Sequence, residues 1–268
     1  MFLKFDMAIP LAVMIIVLGS SCNKPDIISP EPNPGPSVLV KRITASEIDF
    51  MAFEYNAQKN VTKYISQWKN SSNGGVTRIV GNYLYLNNRL MAWSNPAGRA
   101  EFAYFGDKIA ITKNFYLNGT KMADNEYTYD ANDRITQVIE NIASPVEEGA
   151  QRTKITYAYY PDGNLQKMAI YYQLFGQDKY KLSYTRTYLS YDDRVNPEPS
   201  MIITHHLPGV RLYRNNPTLI KDNSPGDSRE ILWRMNYTYN DAGYPIQKVQ
   251  QIETNGQPQP SITFNYTY

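Results

Sequence analysis

The stretch that decides the fold is YTYNDAGYPIQKV, residues 237–249. Tyr237 and Tyr239 are two places apart, so in a strand they project to one face while Thr238 projects to the other. Residues 240–243 follow with Asn, Asp and Gly, which tolerate the positive backbone angles of a tight turn. An alternating segment then leads back along the chain. The stretch therefore predicts a β-hairpin.

The same pattern recurs along the chain. Clear copies cover residues 127–138 and 157–168, and weaker copies begin at three aromatic pairs: Phe53 and Tyr55, Tyr83 and Tyr85, and Phe102 and Tyr104. No long stretch shows apolar positions three and four apart, so helices are not expected. The repeats predict an all-β antiparallel meander of roughly 12–16 strands. Because flat open sheets seldom hold so many strands, we expect repeated β-hairpins forming a large curved or partly closed sheet.

The end of the chain shows the alternation most clearly. One face would carry only apolar and aromatic side chains, namely Ile262, Phe264, Tyr266 and Tyr268. The other face would carry polar side chains, namely Ser261, Thr263, Asn265 and Thr267. An antiparallel strand with this pattern has one packed face and one face in water.

The start of the chain has the layout of an export signal. Lys4 precedes an apolar run, residues 7–18, and small residues then lead to Cys22, the only cysteine. This run is shorter than the roughly 20 residues of a transmembrane helix. Residues 18–22 resemble the lipobox of bacterial lipoproteins in its looser form, with Leu18 four places before the cysteine that is acylated. The alternative is an ordinary signal peptide with a coincidental cysteine.

These features predict three parts. Residues 1–21 form a lipoprotein signal peptide, residues 22–37 contain the lipidated Cys22 and a linker with five prolines, and residues 38–268 form one β domain. Pro-rich segments favour an extended conformation and build no core. Acyl chains on Cys22 would hold the mature protein to a membrane. We therefore expect a cell-envelope location, in the outer membrane and facing the periplasm or the surface.

Charge and cysteine content exclude several classes of function. The formal net charge is +2, and removal of the signal takes away Lys4 and Asp6, which cancel. Nucleic-acid binding normally needs a clustered basic face, and none stands out, so no nucleic-acid partner is expected. With one cysteine, the β domain has no disulfide, no cysteine zinc site and no cysteine catalysis. We predict no cofactor, and the sequence does not fix the oligomeric state.

The repeated hairpins at residues 127–138, 157–168 and 237–249 resemble YD repeats, the units best known from Rhs-type proteins. With so few copies, the shell of those proteins is not expected. The whole layout of lipobox, linker and hairpins is similar to a family of Bacteroidota lipoproteins of unknown function. Residues 191–197 match its mid-domain turn, and residues 215–217 match the segment after a crossing loop. The resemblance implies a fold and a location, and it carries no catalytic residues.

No catalytic motif is present, so we predict no enzyme activity and no catalytic residues. The only histidines, His205 and His206, are adjacent in an apparent strand and would point to opposite faces, which is unsuited to one metal. Residues 222–228 alternate oxygen-bearing side chains as a calcium loop does, but they lack its glutamate, and an ordinary turn is the stronger interpretation. Asp192 and Asp193 are interpreted as part of a turn, and no metal site is predicted.

The aromatic content is unusual, with 23 tyrosines and three tryptophans. Tyr127, Tyr129, Tyr237 and Tyr239 recur with the hairpins, which favours a structural role through cross-strand pairs. Trp68, Trp93 and Trp233 lie outside the repeat positions and are the candidate ligand-binding residues.

The sequence suggests three possible functions, with the best supported first. The first is a non-enzymatic binding or scaffold module on a lipid anchor, with a glycan or a protein as its ligand. The second is a structural or assembly component of the cell envelope. The third, a hydrolase acting on polysaccharide or peptide, has no motif to support it.

Overall fold

The computed structural model describes residues 38–70, 74–197, 210 and 212–268, and every regular element in these ranges is a β-strand. The seventeen strands are β1 (Arg42–Thr44), β2 (Phe50–Tyr55), β3 (Val61–Lys69), β4 (Val76–Leu86), β5 (Arg89–Asn95), β6 (Gly98–Phe105), β7 (Lys108–Tyr116), β8 (Lys121–Tyr129), β9 (Ile135–Ile142), β10 (Ala150–Tyr159), β11 (Leu165–Leu174), β12 (Lys181–Val195), β13 (Asn215–Asn223), β14 (Ile231–Tyr239), β15 (Pro245–Thr254), β16 (Gln257–Pro258) and β17 (Ile262–Thr267).

The strands form one closed antiparallel barrel. Each strand from β1 to β15 pairs with the next, β15 also pairs with β17, and β17 pairs with β1. Ile43 of β1 lies opposite Tyr266 on one side and Met51 on the other, which completes the ring. The two-residue β16 pairs with the end of β15 ahead of β17 and on the same side, so it adds no separate strand and sixteen strands make up the wall. The predicted all-β antiparallel meander is confirmed.

The expectation of a curved or partly closed sheet needs correction, because the sheet closes completely. Closure depends on β1, a three-residue strand that joins the last strand to the second. Strand edges left open in water expose unpaired backbone groups, and pairing β1 with β17 removes both edges. The hairpin repeat itself contains no signal for this pairing between distant parts of the chain.

The predicted hairpins are present. The three clear repeats coincide with β8–β9, β10–β11 and β14–β15. Their turns contain residues with positive φ, namely Asp133 at 63°, Gly163 at 90° and Gly243 at 80°. These are the residue types that accept the left-handed backbone region at low cost. The turn residues therefore explain where each hairpin reverses.

Side chains of two apolar clusters occupy the interior of the barrel, together with buried polar side chains such as Glu140 and Asn125. One apolar cluster joins β1 to β7 with β17 and includes Ile43, Phe102 and Phe264, which are all buried. A second cluster lies on β9 to β14 with the residues that precede β13, and Tyr127 packs against both clusters. On the last strand Phe264 and Tyr266 are buried while Asn265 and Thr267 are exposed, which confirms the predicted alternation.

Tyrosine hydroxyls connect neighbouring hairpins at one end of the barrel, which we call the tyrosine end. Between β9 and β10 the ladder stops at Gln137 and Thr156, and beyond it the hydroxyl of Tyr159 donates to the carbonyl of Ile135 at 2.8 Å. Further described tyrosines donate to a backbone carbonyl near this end, among them Tyr55 to Val40, Tyr104 to Leu90, Tyr129 to Ile109, Tyr160 to Tyr188, Tyr191 to Leu165, Tyr237 to Pro217 and Tyr268 to Pro245. These side-chain bonds replace main-chain pairing where the hairpins diverge.

Removing one of these hydroxyls should weaken the barrel measurably. Tyr159→Phe leaves the carbonyl of Ile135 without this donor, and we expect the free energy of unfolding to fall by about 1 kcal/mol. Tyr171→Phe is the matched control, because that ring lies on the outer wall against the ammonium of Lys154. Urea denaturation of both variants checks the prediction, and equal losses would contradict it.

Candidate binding surfaces

The three predicted tryptophans lie on three different strands, β3, β5 and β14. Trp93 is only 8% exposed and packs in the core against Tyr83, with 6.5 Å between ring centroids. Trp68 and Trp233 are half-buried. Trp93 is therefore a core residue, and Trp233 packs against the second apolar cluster. The ligand-binding role stays a prediction for Trp68 and Trp233, which keep part of their surface exposed.

Trp233 is held by a buried ion pair. The guanidinium of Arg186 donates to both carboxylate oxygens of Asp222, at 2.8 and 2.6 Å. The indole Nε1 of Trp233 donates to the same carboxylate at 2.7 Å, and the guanidinium carbon of Arg186 lies 5.3 Å from a ring centroid of Trp233. The side chains of Arg186 and Asp222 are 15% and 8% exposed. The cluster fixes the packing of β12, β13 and β14 against one another.

Within the segment 222–228, Asp222 and Asn223 end β13, and the rest lies in the connection to β14, as the turn interpretation predicts. Asp222 points inward to Arg186, and Asp227 accepts hydrogen bonds from Nε and Nη2 of Arg229, the shortest at 2.6 Å. Both carboxylates of the segment are therefore occupied by arginine. No group of three or more metal-ligating side chains occurs in the described ranges.

A buried carboxylate lies inside the barrel on β9. Glu140 is 1% exposed, and neither of its carboxylate oxygens has a hydrogen-bond partner in the structure. Burial raises the pKa of Glu140 to about 9, and the hydroxyl of Thr153 across the β9–β10 ladder only partly opposes this shift. Asn125 lies opposite on β8 and donates to the hydroxyl of Tyr127 at 3.0 Å. Glu140 therefore favours the neutral, protonated form at neutral pH.

A cleft opens in the wall between β13 and β14. Their ladder covers only Leu219–Asp222 and Ile231–Arg234, although β14 continues to pair with β15 as far as Tyr239. Beyond the ladder the strands separate around a cavity of about 420 Å³. Nine residues line this wall cleft: Ser190, Asp192, Thr218, Leu219, Arg234, Met235, Asn236, Tyr237 and Tyr239. The volume is within the range of small-ligand sites.

Asp192 organises the inner part of the wall cleft. Its carboxylate accepts the hydroxyl of Tyr239 and the backbone N–H of Asn216, the latter at 3.1 Å. Burial, reinforced by this carboxylate, raises the pKa of Tyr239. The rings of Tyr237 and Tyr239 stack with centroids 6.1 Å apart. Asp192 lies within β12 and also accepts the backbone N–H of Arg194 two residues later, where the register between β12 and β13 shifts, so the predicted turn is a local irregularity inside a strand.

Hydroxyl, amide and guanidinium groups complete the rim of the wall cleft. The hydroxyls of Ser190 and Thr218 are 2.7 Å apart, and Asn236 is exposed on β14. Arg234 extends toward Glu253 at 2.8 Å. This set supplies both hydrogen-bond donors and acceptors next to aromatic rings. The sequence singles out Asp192 as part of a turn and Tyr237 and Tyr239 as structural aromatics, and it predicts none of them as a ligand-binding residue. The register shifts of β12 near Ser190 have no clear sequence signal.

The outer wall of the barrel is polar. Ion pairs lie on it, among them Lys63 with Glu54 at 2.7 Å and Arg234 with Glu253 at 2.8 Å, which link neighbouring strands, and Arg99 with Glu101 at 3.2 Å within β6. A barrel that crosses a membrane has the reverse arrangement, with an apolar band outside and a polar interior. None of the described residues forms a helix that is long and apolar enough to cross a membrane.

Several sequence predictions concern residues outside the described ranges. They are the signal peptide at 1–21, the linker at 22–37 with Cys22, and the histidine pair His205 and His206. These stay predictions.

Comparison with known proteins identifies the fold alone. No family model matches the chain, and no curated protein matches it. Among solved structures, a porin-like protein from Bacteroides uniformis superimposes with a TM-score of 0.54 at 16% identity, covering 85% of this chain and 96% of that one. A porin-like protein from Bacteroides vulgatus gives a TM-score of 0.51 at 14% identity, covering 86% and 98%. The chain therefore shares its closed antiparallel β fold with these two porin-like proteins.

Proposed function

We propose that the protein is a non-enzymatic, lipid-anchored envelope protein whose barrel stands in water and binds a ligand at the wall cleft. The observation that carries the proposal is the distribution of polarity, with two apolar clusters inside the barrel and exposed ion pairs on the outer wall. Such a wall suits water and not the hydrocarbon of a bilayer. Attachment to the membrane would then come from acyl chains on Cys22.

A pore is not part of the proposal, although the two similar structures are described as porin-like. Buried residues such as Ile135 and Leu165, both 0% exposed, occupy the interior of this barrel. Porins of sixteen or more strands owe their aqueous channel to an interior left open by the side chains. A filled interior supports a binding or scaffold module instead.

The wall cleft supports a glycan or a protein as the ligand. Stacked Tyr237 and Tyr239 provide flat rings with hydroxyl groups, which suit contact with sugar rings and with protein surfaces. Arg234 and Asn236 on the rim add polar groups that fix the orientation of a ligand. The location expected from this proposal is the outer membrane, facing the periplasm or the surface.

The experiment that tests the proposal is binding of the purified protein to a glycan array and to a peptide array. The double variant Arg234→Ala with Asn236→Ala removes two side chains from the rim of the wall cleft. Gln247→Ala with Gln251→Ala is the matched control on β15, whose side chains lie on the same outer wall. We expect the natural protein to bind at least one ligand on the arrays. The cleft variant should bind that ligand at least tenfold more weakly, a loss of about 1.4 kcal/mol, and the control should bind it with unchanged affinity. Hits unaffected by the cleft variant, or no hits, would refute the site.

A second candidate function is a structural or assembly role in the envelope. Exposed apolar side chains at the end opposite the tyrosine end favour it, namely Leu117 at 69%, Val146 at 71% and Phe175 at 51% exposure. The backbone N–H of Phe175 bonds the carbonyl of Gly149 at 2.9 Å, which brings two of these loops together. Crosslinking in cells from this end should recover a protein partner, and recovery of lipid alone would count against the role.

A further inference from the structure

The chain enters the barrel at the tyrosine end. Val38 is the first described residue, and the carbonyl of Val40 accepts the hydroxyl of Tyr55 at 2.7 Å. The backbone N–H of Phe53 donates to Lys41 at 2.9 Å, so this segment runs beside the end of β2. A tether from Cys22 therefore reaches the fold at this end, within 16 residues of Val38 in the sequence.

Apolar side chains project into solvent at the same end. Leu84 and Leu86 close β4 and are 63% and 61% exposed, and Phe105 closes β6 and is 85% exposed. Met91 on β5 lies between them in the order of strands and is 37% exposed. We call these four residues the tyrosine-end patch. Exposed apolar side chains grouped on neighbouring strands indicate a contact surface.

Most charges next to the patch form ion pairs. Arg89 pairs with Asp107, and Lys108 pairs with Asp133 at 2.5 Å. Lys59 on the adjoining β2–β3 turn, where Asn60 bonds Asn88, adds an exposed cation, which falls short of the cluster of basic residues that selects anionic lipids. The chemistry of the surface is that of an apolar contact with an electrically neutral interface, and phosphatidylcholine is the matching lipid.

We propose that the tyrosine-end patch inserts into the lipid surface and sets the orientation of the barrel on the membrane. The inference rests on the proposed lipid anchor. Four side chains bind a membrane weakly by themselves, but a tether keeps the barrel near the bilayer and raises the effective concentration of that contact. This contact would fix the distance and orientation of the wall cleft and of the opposite end of the barrel relative to the membrane.

The test places a fluorophore at each end of the acylated mature protein. Cys22 is the only cysteine, and the lipid occupies its thiol, so Phe105→Cys and Leu117→Cys each introduce one reactive thiol. Both positions are strongly exposed, so neither change should disturb folding. Each variant carries an environment-sensitive label and is reconstituted into phosphatidylcholine vesicles that contain spin-labelled lipid.

We expect the label at position 105 to brighten and to be quenched by the spin-labelled lipid, while the label at 117 does neither. Adding Leu84→Ser and Leu86→Ser should reduce the quenching at 105. If the protein floats with the vesicles but the label at 105 is not quenched, the patch proposal fails and the anchor stands. Brightening without quenching, as a second copy of the chain would cause, also overturns it. If the protein does not float with the vesicles, the proposed anchor fails, and the patch proposal fails with it.

Discussion

Replacing Asp222 by Ala should lower the free energy of unfolding by about 3–5 kcal/mol. The carboxylate accepts three hydrogen bonds, two from Arg186 and one from the indole of Trp233. Alanine would leave the guanidinium charge of Arg186 without this partner at 15% exposure. The cost of an uncompensated buried charge exceeds the loss of an ordinary hydrogen bond, which is about 1 kcal/mol.

The chain offers a matched control a few residues away. Asp227 also pairs with an arginine, Arg229, but that pair lies on the exposed connection between β13 and β14. Exposed ion pairs contribute little because water and salt screen them. Asp227→Ala should therefore leave the midpoint of urea denaturation almost unchanged. If both variants lost a similar amount of unfolding free energy, the buried Arg186–Asp222 pair would contribute no more to stability than an exposed ion pair.

Replacing Glu140 by Gln should stabilise the protein by about 3 kcal/mol at pH 7. Burial raises the pKa of Glu140 from 4.5 to about 9 in the fold, so between these values the folded state holds a proton that the unfolded state has released. The stability of the natural protein therefore falls as the pH rises through this window and levels off above pH 9. Because glutamine does not titrate, the stability of the variant should not fall over this pH range.

Denaturant titrations from pH 4 to pH 9 test the prediction. The two proteins should be similar near pH 4, where the carboxyl is neutral in both states, and should diverge as the pH rises. Glu253→Gln on the outer wall, whose carboxylate bonds Arg234, is the control and should not reproduce the divergence. A Glu140→Gln variant that is less stable than the natural protein at every pH would show that the carboxylate has a buried partner in solution.

The sequence predicts the local structure well because the repeat signals are local. Alternating aromatics and a turn with Gly or Asp define the hairpin at 237–249 without any information from elsewhere in the chain. Closure of the barrel is different, since Ile43 pairs with Tyr266 across almost the whole chain. A three-residue strand has no pattern long enough to indicate its partners, and the complete ring was therefore not predicted.

The candidate site was less accessible to prediction. Trp93 and Trp233 both pack against apolar clusters, and only the structure shows that Trp233 also bonds the buried carboxylate of Asp222. Register shifts decide which side chains reach a cleft, and these depend on packing between strands. For Glu140 a signal did exist, because Val138 lies two places before it and shares its inward face.

The tyrosines of the repeat stabilise the barrel in two ways, and the sequence predicts only the first of them, the contacts between aromatic rings. We expected cross-strand aromatic pairs, and the rings of Tyr237 and Tyr239 do stack. The more regular contact is a hydroxyl that bonds a carbonyl of the neighbouring hairpin, as Tyr129 does with Ile109 and Tyr268 does with Pro245. Phenylalanine could fill the same space but not make this bond, which explains why tyrosine predominates.

The measurement that tests the account most directly is the behaviour of the mature chain with Cys22→Ser in buffer without detergent. An outer wall of ion pairs around a filled interior predicts a monodisperse protein with a β-rich circular dichroism spectrum and no conductance across planar lipid bilayers. A protein that folds only in detergent, or that conducts ions across a bilayer, would contradict the account.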